Sequence, residues 1–286
     1  MANLKELRNR IASVSSTMQI TSAMKMVSAA KLKRSQDAIV QMRPYAQKLT
    51  ALMGNISATL DASENPYAQE RPTQRVLLIS LTANRGLCGA FNSSVIKRTR
   101  SVADAYEAQG AKVSVFTVGK KSRDLLKKTM NVVGEELEVV NQVNFEGAQR
   151  VAEVAMVGYV AGAYDKVVLV YNQFKNAAVQ ILQEEQLLPI LPALAGQGQA
   201  SDYIYEPNKV QLLEELIPTS IKSQVFKALL DSQASEHGAR MTSMHKATDN
   251  ATSMRDGLKL QYNKARQAAI TNEILEIVGG AEALSG

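Results

Sequence analysis

The sequence predicts an α/β protein: a long antiparallel coiled coil of N- and C-terminal helices, plus a Rossmann-like α/β domain. Three observations lead there. Residues 1–62 contain one proline, Pro44, and one glycine, Gly54, and repeat apolar residues at alternating steps of three and four. Residues 75–200 alternate strand-like and helix-like runs, the pattern of a parallel sheet flanked by helices. Residues 206–286 return to a helical pattern.

The N-terminal seam runs through Leu4, Leu7, Ile11, Val14, Met18, Thr21, Lys25, Ser28, Leu32, Ser35, Ile39, Met42, Ala46, Leu49, Met53, Ile56 and Leu60. A heptad sustained that far argues for a coiled coil. The seam turns polar between Thr21 and Ser28, so the register is expected to shift there onto Ile20, Met24 and Val27. Pro44 is expected to kink the helix or restart it. At about 1.5 Å per residue this segment reaches roughly 90 Å, more than a small core needs.

Residues 63–74 are polar, contain Pro66 and Pro72, and read as a linker. Strands are expected at 75–82, 112–118, 138–140 and 166–171, with an edge strand at 178–188. Helices are expected at 92–109, 122–129 and 145–163. Further on, Pro207 suits a first helical turn, and Pro218 is expected to end one helix and begin the next. The helix after Pro218 has a seam of smaller residues: Met241, Met244, Ala251, Leu258, Tyr262, Ala265 and Ala269. The economical solution is a two-helix shaft with a globular foot, its tips apolar enough to require a surrounding partner.

The totals exclude several classes. The net charge of +6 is modest for 286 residues and suits an acidic partner. The basic run at Lys25 and Lys31–Arg34 has no interleaved aromatic, so nucleic acid is not expected. The single cysteine, Cys88, permits no intrachain disulfide and fits a reducing compartment. No run approaches 18 apolar residues, so no span is expected. The start lacks the apolar stretch of a signal peptide.

The candidate chemistry is thin. Asn84-Arg-Gly-Leu-Cys-Gly89 follows a strand and precedes a helix, where a Rossmann fold cradles phosphate. It reads G-x-x-G, without the full glycine fingerprint, and no acid ends the second strand to hold a ribose. A tight turn explains it better. Gly119-Lys-Lys-Ser122 lacks the first glycine of a phosphate loop, where Ser114 stands. Cys88 has no histidine in its domain. His237 and His245, eight apart on a helix, do not form a metal site. No cofactor, metal or catalytic residue is expected.

Four blocks carry a resemblance: Ile270-Thr-Asn-Glu-Ile-Leu-Glu-Ile-Val-Gly-Gly-Ala-Glu-Ala283, Ile11 to Val27, Ala234-Ser-Glu-His-Gly-Ala-Arg-Met241 with Ala247-Thr-Asp-Asn-Ala251, and Arg85-Gly-Leu-Cys-Gly89. In order along the whole chain, they resemble the gamma subunits of F-type ATP synthases. Asn84 stands where the family usually has Asp, and Ala90 where a second Gly is common. The cysteine-bearing insertion of chloroplast forms is absent.

The resemblance implies a rotating central stalk, not an enzyme by itself, passing torque between a membrane c-ring and the beta subunits. The implied partners are three alpha and three beta subunits, epsilon and the c-ring. The implied place is a peripheral one, on the cytoplasmic face of a bacterial plasma membrane. It also implies that Arg266 and Gln267 hydrogen-bond a beta loop, and that Met24 and Lys25 meet beta's acidic lever. Ile274, Leu275, Ile277 and Val278 would be the apolar shaft tip, and Tyr203, Tyr205 and Glu206 the foot segment on the ring. The rival readings are a dinucleotide enzyme with helical arms and a coiled-coil scaffold or nucleic-acid binder. Neither explains the terminal blocks.

Overall fold

The computed structural model describes residues 4–57, 66–190 and 209–285. Two very long helices bracket the α/β elements: α1 (Leu4–Ser57) and α5 (Lys209–Ser285, 77 residues). Both run unbroken through a proline, Pro44 in α1 and Pro218 in α5, against the expected breaks. Pro44 is exposed, where water can satisfy the carbonyl that loses its amide partner.

The chain divides into two compact units, and the division cuts both long helices. One unit is Met1–Val27 with Met241–Gly286; the other is Ser28–Arg240.

In the first unit the two helix segments pack antiparallel. Arg8 meets Tyr262, Met18 meets Arg255, Thr21 meets Thr248 and Lys25 meets His245. As one partner's number rises, the other's falls by nearly the same amount. The seam of α1 keeps its heptad here. Thr21 is buried, while Ile20 and Val27 are 59% and 57% exposed, so the expected register shift does not occur. The reason is that small hydroxyl residues can serve as seam positions. The Thr248 hydroxyl donates to Thr21 Oγ1 at 2.8 Å, and Thr21 donates to the Met18 carbonyl of its own helix at 3.1 Å. Each polar group is thereby satisfied inside the contact. The seam of α5 is strict: Met244 and Ala251 are buried, and Leu258, Tyr262, Ala265 and Ala269 are half-buried.

The second unit is built on a five-stranded sheet of order β3-β2-β1-β4-β5. The strands are β1 (Arg75–Leu81), β2 (Lys112–Val118), β3 (Val132–Glu136), β4 (Lys166–Phe174) and β5 (Gln180–Leu188). The first four are parallel, and β5 pairs antiparallel at the edge of β4. Helices α2 (Phe91–Glu107) and α3 (Lys120–Leu126) share a core with Val76, Leu78, Val113 and Val115. Helix α4 (Phe145–Val160) and the Ile217–Leu229 stretch of α5 cover the other face, around Leu77, Ile79 and Leu169. Alternate residues of β1 thus feed opposite cores, as the period of a strand requires.

No strand forms at 138–140. The third strand lies earlier, at Val132–Glu136. The Glu136 carboxylate then accepts hydrogen bonds from the backbone N–H of Glu138 (3.0 Å) and Val139 (3.3 Å), which closes a turn. Val139 drops into the core from that turn.

Asp165, 4% exposed, locks the start of β1 to the start of β4. It accepts the Arg75 and Gln74 backbone N–H groups at 2.8 and 3.1 Å, and the Arg75 guanidinium at 3.1 Å. Burial alone would raise this carboxyl. The hydrogen bonds from the Arg75 side chain and the two backbone amides outweigh it and hold the group below the usual carboxylate range. His237 is shifted down too, chiefly by burial.

Both shifts have the same sign for stability. Asp165 contributes fully above its unfolded value near pH ~4, and the contribution is lost as pH falls through its lower folded value. His237 belongs to the fold in its neutral form, so stability declines as pH drops below about 6.5. Asp165→Asn is expected to weaken this unit by about 2–3 kcal/mol at neutral pH and to flatten the acid limb. Hydrogen exchange of β1 and β4 amides at pH 7 measures the weakening, and protection followed from about pH 4 down to about pH 2.5 measures the flattened limb. Equal protection in parent and variant at pH 7 would refute the assignment.

Candidate partner interface

The expected coupling residues all lie in the first unit, on the paired helices or just past them. Met24 and Lys25 are half-buried in α1. Lys25 Nζ lies 3.3 Å from His245 Nδ1, and the same nitrogen lies 3.5 Å from Asp249 Oδ2. The lysine is therefore braced across the helix pair, with its charge positioned by α5.

Following the antiparallel pairing back from Arg8 and Tyr262 places Leu4 opposite Arg266. Past that point α5 has no opposing α1 residue among the described ones. Arg266 and Gln267 sit at this edge, both exposed. No carboxylate pairs with Arg266 among the described residues. The Gln267 carbonyl accepts the Thr271 hydroxyl at 2.9 Å, so its amide side chain is not used for that bond. Arg266 and Gln267 are neighbours in sequence and point about 100° apart around the helix.

From Ile270 to Ala281 every residue is exposed. Leu275 is 63% and Ile277 71% exposed, and Ile270, Ile274 and Val278 are close behind. At about 100° per residue these five spread over an arc of roughly 160°, and Glu273 and Glu276 fall on the other side. The end of α5 is thus a lone amphipathic helix with a wide apolar face. Tyr203, Tyr205 and Glu206 lie outside the described residues.

One constellation was not anticipated. In the second unit, Arg240 of α5 donates to the Gly86 carbonyl at 2.5 Å and to Glu236 Oε1 at 2.5 Å. It anchors the 84–90 loop, where Leu87 (φ 63) and Gly89 (φ 60) take left-handed conformations. Asn84 ties the same loop to the residue after β3 and to α3, donating to the Leu137 carbonyl and accepting from the Lys120 backbone, both at 2.8 Å. Asn92 accepts the Ala83 backbone N–H at 2.8 Å and donates to Cys88 Sγ at 3.1 Å. Cys88 is buried, and burial raises its thiol above the ordinary range, which suits a packed residue and not a nucleophile. The i, i+4 spacing of Glu236 and Arg240 in the quoted 234–241 block was the available signal. Among the described residues no cluster of histidine, cysteine or acids could hold a metal, and no helix is long and apolar enough to cross a membrane.

A family model described as ATP synthase matches residues 3–284. The ATP synthase gamma chain of Flavobacterium psychrophilum is 58% identical over 288 residues, covering all of both chains. The chain belongs to the ATP synthase gamma family. A second gamma chain, from Flavobacterium johnsoniae, is 59% identical, again over the full length of both. In the structure of the Euglena gracilis mitochondrial ATP synthase OSCP/F1/c-ring assembly, one chain superposes with a TM-score of 0.72 at 25% identity. That match covers 98% of this chain and 94% of the other. The gamma family therefore accounts for the long helices and the α/β unit together.

Proposed function

We propose that this chain is the rotating central-stalk subunit of an ATP synthase, coupling proton flow through a membrane c-ring to ATP synthesis or hydrolysis at beta subunits. It does no catalysis by itself. Segment 1–62 supplies the N-terminal coiled-coil helix, 75–200 the foot, and 206–286 the C-terminal helical region that ends in the shaft tip. The partners are three alpha and three beta subunits, epsilon and the c-ring, and the place is the cytoplasmic face of a bacterial plasma membrane. The observation that carries this reading is the end of α5: a helix 77 residues long whose last turns stand unpaired and present an apolar face. Such a surface is costly in water and calls for an enclosing partner.

In this role shaft orientation selects which beta conformation is lowest in energy. Arg266 and Gln267 contact a beta loop, Met24 and Lys25 face beta's acidic lever, and Ile274, Leu275, Ile277 and Val278 turn within an apolar sleeve. Tyr203, Tyr205 and Glu206 contact the ring. Arg266→Ala is expected to slow ATP turnover of the assembled complex about tenfold or more while assembly survives, because one partner of a charge-assisted contact is lost. Unchanged turnover would remove Arg266 from the coupling residues.

The deciding experiment co-expresses the chain with alpha and beta subunits of the same source. A complex of three alpha, three beta and one copy of this chain that hydrolyses ATP only when the chain is present establishes the stalk role. Failure to co-purify with folded alpha and beta subunits overturns it.

A further inference from the structure

Residues 120–128, Lys-Lys-Ser-Arg-Asp-Leu-Leu-Lys-Lys, carry five basic residues and one acidic, a net charge of +4 against +6 for the whole chain. They form α3 and the turn that follows it. The acidic residues nearby are already committed: Arg123 takes both Asp124 (2.9 Å) and Glu135 (3.4 Å). Among the described residues no carboxylate pairs with Lys120, Lys121, Lys127 or Lys128. Lys121, Leu125 and Lys128 follow one another at helical spacing, and Leu125 is 46% exposed between them. The neighbouring α2 adds a further cation, since Arg100 reaches the Leu125 carbonyl at 3.3 Å.

Folding does not account for this concentration. Lys120 and Lys121 occupy the first turn of α3, which holds no acidic residue, and cations there oppose the helix dipole. Like charges packed on one face also repel. A partner that neutralises the face would remove both penalties. The exposed leucine narrows the choice of partner. An acidic segment with carboxylates three or four residues apart and an apolar side chain between them matches the Lys–Leu–Lys row in charge and in contact. No aromatic residue lies in 120–128 to stack on bases or sit at a lipid interface.

We propose that this face docks an acidic, amphipathic polypeptide segment of another protein in the complex, held by Lys120, Lys121, Lys127 and Lys128 around Leu125. The face lies in the α/β unit, and neither the coupling residues of the helix pair nor the tip takes part.

The test uses the complex purified from its source through a tag on this chain. A carbodiimide activates a carboxylate, the amine of a lysine in contact with it displaces the urea to form an amide, and mass spectrometry of the digest locates that amide. The expected result is amide links from these lysines to Asp or Glu of a co-purifying protein. In Lys127→Glu/Lys128→Glu, links from Lys120 and Lys121 are expected to fall about tenfold, as like charge repels the acidic segment. ATP hydrolysis and co-purification of alpha and beta subunits, read on the same sample, report on the stalk role separately. Links absent from all four lysines, while other lysines of this chain form amide links to carboxylates in the same sample, would overturn the proposal. So would protection of the four from acetylation only when phosphatidylglycerol vesicles or duplex DNA is added.

Discussion

Gly119→Ala is expected to abolish the folded α/β unit. Gly119 has a φ of +98° at the start of α3, a conformation side chains rarely adopt. A Cβ there would stand 2.2 Å from the Thr82 carbonyl oxygen and 2.8 Å from its carbon. The obstacle is backbone and cannot rotate away. Thr82 is itself fixed, its N–H bonded to the Val118 carbonyl at 2.8 Å and its hydroxyl 3.0 Å from Ser122 Oγ. Relief requires pulling β1 from β2 in the middle of the sheet. The cost is about 4 kcal/mol or more, comparable with the whole stability margin of many domains. Gly110→Ala is the control. Its φ is +86°, but nothing lies within 4 Å of the added carbon, so only the strain of about 1–2 kcal/mol applies. Soluble yield and thermal melting of the two variants separate clash from strain. A Gly119→Ala protein that melts with its parent would refute the packing described for this corner.

Deleting residues 275–286 is expected to cut the yield of assembled complex about fivefold or more, while complex that does form keeps hydrolysing ATP. The deletion removes Leu275, Ile277 and Val278, all exposed, and no α1 contact, since the pairing ends near Arg266. The chain's own fold loses little. What is lost is apolar surface available to a surrounding partner, worth about 1.5–3 kcal/mol per side chain when fully buried. Removing only 281–286 spares all three aliphatic residues and is expected to leave assembly intact. Normal yield from the longer deletion would argue against the bearing role of the tip.

The sequence made the long helices legible because heptads run through them for many turns, and the β1, β2 and β4 strands because they are continuous apolar runs. It misled where one physical signal has two outcomes. Pro44 and Pro218 read as breaks, yet packing along a long helix outweighs one lost hydrogen bond. Thr21 and Ser28 read as interruptions of the seam, yet both are buried, and the Thr21 hydroxyl bonds within the contact. Glu136 hid the true third strand, because its carboxylate closes a local turn onto the Glu138 and Val139 amides just where the apolar Val139–Val140 pair reads as a strand. Arg266, Gln267 and the aliphatic end of α5 stand exposed, and their part in an interface belongs to the proposal. The Arg240–Glu236 clamp on the 84–90 loop required the fold, since the loop and α5 are far apart along the chain.

The end of the helix pairing near Arg266 also divides α5 mechanically. Up to that point a sideways load or a twist is shared by two interlocked rods, so deflecting one means shearing the contact with the other. Beyond it, about 28 Å of single helix resists only through its own backbone hydrogen bonds. The two stretches therefore differ in stiffness with no hinge sequence between them. Elastic deformation under torque concentrates in the lone segment, which can yield and spring back while the paired stretch turns as a rigid axle.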